Sequence, residues 1–206
     1  MISEGSTKFT APTVNPFAAA DVAAILRDRR WLAAAVDLAQ VFRPRDLGLK
    51  GPGPNEAGHI ERDLAAWLGE AAVLLGPHAT SRDALADLLR LVFEYDARAI
   101  LRRPESHAVL AREGAREVIR ELAHQVLEGP PVDSDRFKEI VSALKERLRH
   151  RGRKLFHPIR LALAGRAGEG ELDRVILVLD CAAALPSCIV VKGTRQRMLE
   201  FCASME

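Results

Sequence analysis

The sequence predicts an all-α protein, and three features of its pattern carry that expectation. Apolar residues recur at spacings of three and four along successive stretches, and each stretch stops at glycine or proline. Only one run, Val175-Ile176-Leu177-Val178-Leu179, has the composition of a strand, and nothing of equal strength stands ready to pair with it except Ile189 to Val191. That run is therefore read as helix. At 206 residues, with 48% hydrophobic residues, the chain can bury a core without disulfides or metals. With aromatics at 5%, that core must be mainly Leu, Val, Ile and Ala.

Residues 1–17 mix Ser, Thr, Pro and Gly without an apolar period and are read as a loose tail. Asp21 then caps a helix with Val22, Ile25 and Leu26 on one face, continuing through Trp31, Ala35, Val36 and Phe42 and stopping before Pro44. Gly48 to Gly58 form a loop; no Gly-Lys-Ser or Gly-Lys-Thr follows its glycines, so it is not a phosphate cradle. A second helix, Glu56 to Leu75, carries Ile60, Leu64, Trp67, Leu68 and Ala71, with Gly76-Pro77 as its stop.

Thr80 and Asp83 stand in capping-box spacing before a third stripe of Leu85, Leu88, Leu89, Val92 and Ile100. Pro104 separates this from a fourth, with Leu110, Val118, Ile119, Leu122 and Val126. Gly129-Pro130-Pro131 is the strongest boundary in the chain, dividing a helical domain at 18–130 from a smaller helical one at 131–206. Asp133 or Ser134 caps the next helix, whose stripe is Phe137, Ile140, Val141, Leu144 and Leu148. Shorter apolar segments follow at Phe156 to Leu163, Leu172 to Leu179 and Thr194 to Cys202.

Net charge is only +2, but it is unevenly spread: from Lys145 to Arg166 eight basic residues face Glu146 alone. Such a run is either a solvated helix face or an electrostatic footprint for a polyanion. Cys181, Cys188 and Cys202 form no CxxC, and the histidines have no metal-ligand spacing, so neither a metal nor a cofactor is expected. The N-terminus lacks a charged segment followed by an apolar one. The most apolar stretch, Val175 to Val191, is broken by Asp180 and Pro186, so no membrane segment is expected and a reducing cytoplasm is the natural location.

Within the basic run, Arg153-Lys154-Leu155-Phe156-His157-Pro158-Ile159-Arg160-Leu161-Ala162-Leu163-Ala164-Gly165-Arg166 resembles a signature late in the chain of bacterial glutamyl-tRNA synthetases, in their C-terminal anticodon-binding region. The Pro-Ile-Arg and Ala-Leu-x-Gly-Arg elements match in order and spacing, Glu171-Leu172 fits the Glu-Leu that follows, and a helix precedes the signature as it does in the family. The likeness is close from about Phe137 to Leu179 and looser from Thr80 and at Arg195 to Leu199. Ala164 replaces a Thr, Gly170 a Pro and Asp180 a Gly, and an insertion lies around Ala182 to Val191.

Read physically, Pro158 is suited to the first turn of a helix carrying Ile159, Leu161, Ala162 and Leu163, which Gly165 ends in a left-handed conformation. The resemblance implies a two-part helical cage that receives a tRNA anticodon loop, with tRNA-Glu as the named candidate. It also implies RNA contacts from Lys145, Arg149, Arg153, Lys154, Arg160 and Arg166, although Arg160 and Arg166 could equally serve internal ion pairs. No His-x-Gly-His element or Lys-Met-Ser-Lys-Ser loop occurs, so aminoacylation is not expected. The reading is thus a stand-alone, non-catalytic tRNA-binding protein. Its alternative is a helical module that docks on a synthetase or another protein through an apolar groove.

Overall fold

The computed structural model describes residues 15–31, 54–185 and 191–205. Residues 1–14 of the expected tail, the helix continuation through Ala35, Val36 and Phe42, the loop up to Gly53, the side chain of Ile60, Cys188 and Ile189 lie outside them. The described residues are helical, without strands, as the periodicity predicts. The run Val175 to Leu179 is helical too, divided between α9 (Glu171–Leu177) and α10 (Leu179–Ala183).

The first helix, α1 (Ala19–Asp28), begins two residues before Asp21. Asp21 therefore sits in its first turn, where its carboxylate accepts from the Ala18 N–H at 2.8 Å. α2 (Pro54–Leu75) opens on a proline whose missing N–H costs nothing there, and runs into a 3-10 turn at Gly76–His78. α3 (Arg82–Phe93) is capped by Ser81, one residue after Thr80, through a bond from the Ala84 N–H at 3.1 Å.

The third expected helix does not run on to Ile100. It breaks at Glu94-Tyr95-Asp96, and Asp96 caps a separate α4 (Ala97–Leu101). The fourth divides likewise, into α5 (Pro104–Leu110) and α6 (Ala115–Glu128). α7 (Ser134–Leu148) is capped by Asp133, whose carboxylate accepts from the Arg136 N–H at 2.8 Å. α8 (Arg153–Ala164) and α11 (Thr194–Met205) complete the order.

A hydrophobic core cluster draws on residues from both sides of Gly129–Pro131. Trp31 stacks on Phe93 at 5.3 Å and Trp67 meets the same ring edge-on at 6.0 Å. From α2 the Trp67 indole N–H donates to the buried Val178 carbonyl at 3.1 Å. α8 is packed by α5, α6, α9 and α11, and Leu155, Ile159 and Leu161 to Ala164 are each at most 1% exposed. Enclosure by these helices explains why α8 is mainly apolar after its first turn, with His157 and Arg160 as the exceptions.

Pro158 lies inside α8, not in its first turn, because the helix starts five residues earlier, at Arg153. A proline there removes the bond its N–H would give the preceding turn. The other end of α8 is amply served. Gly165 closes it at φ 76°, ψ 9°, and a Cβ at that position would lie 2.9 Å from Ile100. The Ala162 carbonyl accepts from the Tyr95 hydroxyl at 2.6 Å, Leu163 from Arg197 at 2.7 Å and Gly165 from Arg103 at 3.3 Å.

Arg197, 0% exposed, also donates to the carbonyls of Val92 at 2.6 Å and Lys192 at 2.7 Å, and its guanidinium lies 4.5 Å from the Tyr95 ring centroid. Burial, partly offset by Tyr95, lowers its pKa to about 10, so it remains charged in neutral solution. Asp180, where the resembled pattern has glycine, accepts from the Val132 N–H at 2.6 Å and from the Thr194 N–H and hydroxyl at 2.6 and 2.8 Å. One carboxylate thus fixes the loop after Pro131 and the start of α11. Among the described residues no helix is long and apolar enough to cross a membrane.

Candidate nucleic-acid interface

The basic run folds into a tight corner between α7 and α8. Arg149 follows the last residue of α7 in a left-handed conformation, φ 55° and ψ 23°, with its N–H donating to the Lys145 carbonyl at 3.0 Å. The chain reverses through Gly152, whose φ 54°, ψ −137° suits glycine and disfavours a side chain. The corner leaves an open groove of about 690 Å³ lined by Lys145, Glu146, Arg149, Arg151, Gly152 and Phe156.

Within the groove Lys145, Arg149 and Arg151 are exposed, whereas Phe156 is half-buried. The Lys145 ammonium stands 5.7 Å from the Phe156 ring centroid, and the Arg160 guanidinium lies 5.0 Å from it. Arg147, the remaining cation of this turn of α7, reaches instead to Glu121 of α6 at 2.8 Å.

Arg153 and Lys154 occupy the first turn of α8 beside the groove, exposed, with long ion pairs to Glu169 at 3.4 Å and Glu113 at 3.7 Å. The helix dipole is positive at this end, and α8 has no acidic residue in its first turn to balance it. Dipole and cations therefore reinforce one another, a combination that disfavours the bare helix end and favours an anion beside it.

His157 adds no charge to this end in neutral solution. Burial, then Arg112, Arg153 and Arg160, holds its pKa below the ordinary 6.5. Its Nδ1 faces an Arg112 guanidinium nitrogen at 3.1 Å, and its Nε2 is buried without a hydrogen-bond partner.

The six basic residues singled out from sequence thus fall into three places. Lys145 and Arg149 line the groove, and Arg153 and Lys154 border it. Arg166 is exposed past the far end of α8, roughly 18 Å away at 1.5 Å per helical residue. Arg160 is 7% exposed: it pairs with Asp173 and donates to the Gly168 carbonyl. Two groove residues, Arg151 and Phe156, were not in that set. Arg151 belongs to the basic run and adjoins a glycine, which marks a turn and is the signal that could have found it. Among the described residues no group of three or more His, Cys, Asp or Glu side chains could hold a metal ion.

Guanidinium and ammonium donors around an aromatic ring are the chemistry of single-stranded nucleic-acid binding. Comparison with known proteins points the same way. Residues 17–180 match the model of the anticodon binding domain family, and the chain belongs to that family. A glutamate–tRNA ligase of Bacillus licheniformis is 28% identical over 148 residues, 70% of this chain and 29% of the relative. Glutamate–tRNA ligase 2 of Syntrophus aciditrophicus is 28% identical over 119 residues, 55% and 23% of the two chains. That of Carboxydothermus hydrogenoformans is 34% identical over 80 residues, 39% and 17%. The chain thus spans less than a third of the length of these curated relatives. No solved structure matches it.

Proposed function

We propose that this anticodon-binding domain binds tRNA in the cytoplasm and that these 206 residues carry no aminoacylation chemistry of their own. In this reading Lys145, Arg149, Arg151, Arg153 and Lys154 neutralise phosphates of the anticodon loop. The observation that carries it is the convergence of these exposed cations on one groove at the positive end of α8. Glutamate-accepting tRNA is the first candidate, because the relatives bear the name glutamate–tRNA ligase. The non-catalytic part of the reading rests on the sequence, which contains neither a His-x-Gly-His element nor a Lys-Met-Ser-Lys-Ser loop. Arg166, exposed past the far end of α8, stands apart from this groove, and Arg160 supports the surface from beneath.

The test is binding of tRNA across a salt series. With about four phosphates neutralised at roughly −0.7 each, log K falls against log salt with a slope near −3. Arg149→Glu combined with Arg151→Glu brings the slope to about −1.4 and weakens binding at least about tenfold. Unfolding temperature stays nearly unchanged, since both side chains are exposed. Absence of RNA binding by the wild-type chain at low salt overturns the reading in favour of docking on a protein.

A further inference from the structure

We infer that Phe156 is a stacking platform for one unpaired base of the bound RNA, and that Lys145 covers the ring while the groove is empty. The inference rests on the tRNA reading above and goes beyond it, because phosphate neutralisation requires no aromatic residue.

Apolar residues of α8 are otherwise enclosed, with Leu155 and Ile159 both 0% exposed, yet Phe156 turns to the surface and lines a basic groove. The Arg160 guanidinium, 5.0 Å from its ring centroid, is fixed at Asp173 and Gly168 and therefore unable to swing away. The ammonium of Lys145, on an exposed side chain, stands 5.7 Å from the same centroid. A cation–π contact of this kind is weak at an exposed site. A base can replace it, and the freed ammonium then reaches a flanking phosphate.

The space fits the occupant. About 690 Å³ lies within the roughly 300–1,000 Å³ of small-ligand clefts, enough for one nucleotide. The cations that line the groove with the ring come from α7 and from the turn into α8. Arg149 is held at φ 55°, where a side chain is unfavourable, and strain of that sort persists where the surroundings enforce it, often at binding sites. Any base presents a π face, so the platform tolerates sequence and adds affinity without adding salt dependence.

That last property gives the test. Phe156→Leu keeps an apolar side chain of similar bulk but loses the π face. It should weaken tRNA binding about 5- to 150-fold with the salt slope unchanged, while Phe156→Tyr retains wild-type affinity. In a second measurement, an anticodon stem-loop RNA is made abasic at one loop position after another. One position should cost the wild-type chain affinity and cost Phe156→Leu almost nothing, a comparison that a general loss of folding cannot imitate. If Phe156→Leu binds as tightly as wild type, or every abasic RNA affects both chains alike, the platform is wrong and the tRNA reading stands. If the wild-type chain binds no RNA at low salt, both fall.

Discussion

Arg160 and Asp173 meet side by side, Nε to Oδ1 at 2.7 Å and Nη2 to Oδ2 at 2.8 Å, and so clasp α8 to α9. The remaining guanidinium nitrogen is engaged by the Gly168 carbonyl, so all three nitrogens of this largely buried side chain are held within the protein. Arg160→Ala would strand a carboxylate whose side chain is only 21% exposed. The expected cost is about 3 kcal/mol, read by chemical denaturation. Its salt slope in tRNA binding, measured well below melting, should stay at the wild-type value, unlike that of the Arg149/Arg151 reversal, because Arg160 neutralises no phosphate. Full stability with lost affinity would make Arg160 an RNA contact.

Arg149 offers a separation of stability from binding at a single position. Its φ of 55° suits glycine, so Arg149→Gly relieves conformational strain and should stabilise the chain by roughly 0.5–1 kcal/mol. The same change removes one phosphate contact, reducing the salt slope by about 0.7. Calorimetry and binding isotherms on one sample read both effects. Loss of stability would mean that the Arg149 side chain holds the corner.

His157 predicts a dependence on pH with a definite sign. Its folded pKa is depressed below 6.5, chiefly by burial and then by Arg112, Arg153 and Arg160. As pH falls through 6.5 the unfolded chain takes up the proton first, so stability declines toward the lower folded value and is regained as pH rises. Melting temperatures at about pH 7.5 and about pH 5.5 should differ less for His157→Asn than for wild type. Equal differences in the two chains would show that His157 does not contribute.

Local pattern made much of the fold legible. The offsets of Phe137, Ile140, Val141 and Leu144 and the Asp133 cap gave α7 with its start, and Gly165 marked the end of α8. The breaks at Glu94–Asp96 and Ala111–Gly114 were not legible, because the apolar stripes continue across them and tertiary contacts decide where the chain turns. Pro158 misled for a related reason: a proline favours a first turn, but the helix begins five residues earlier, at Arg153.

At the site, the cluster of cations could be read from charge alone, whereas the fate of Arg160 could not. Asp173, thirteen residues on, becomes its neighbour only when α9 folds back along α8. Arg197 is similar: three carbonyls from separate segments claim it, and none is visible as a motif.

The cap on α8 sets the terms on which this surface could be borrowed. Tyr95, Arg103 and Arg197, which serve its last carbonyls, come from before Gly129 and from α11, so the helix that carries one side of the basic corner is finished at its far end by distant parts of the chain. A graft of 133–166 alone into another scaffold would carry the cations but leave the end of α8 to be solvated or refolded. Any engineer wishing to transplant the groove, and any rearrangement that shuffles it between proteins, must move the surrounding helices with it.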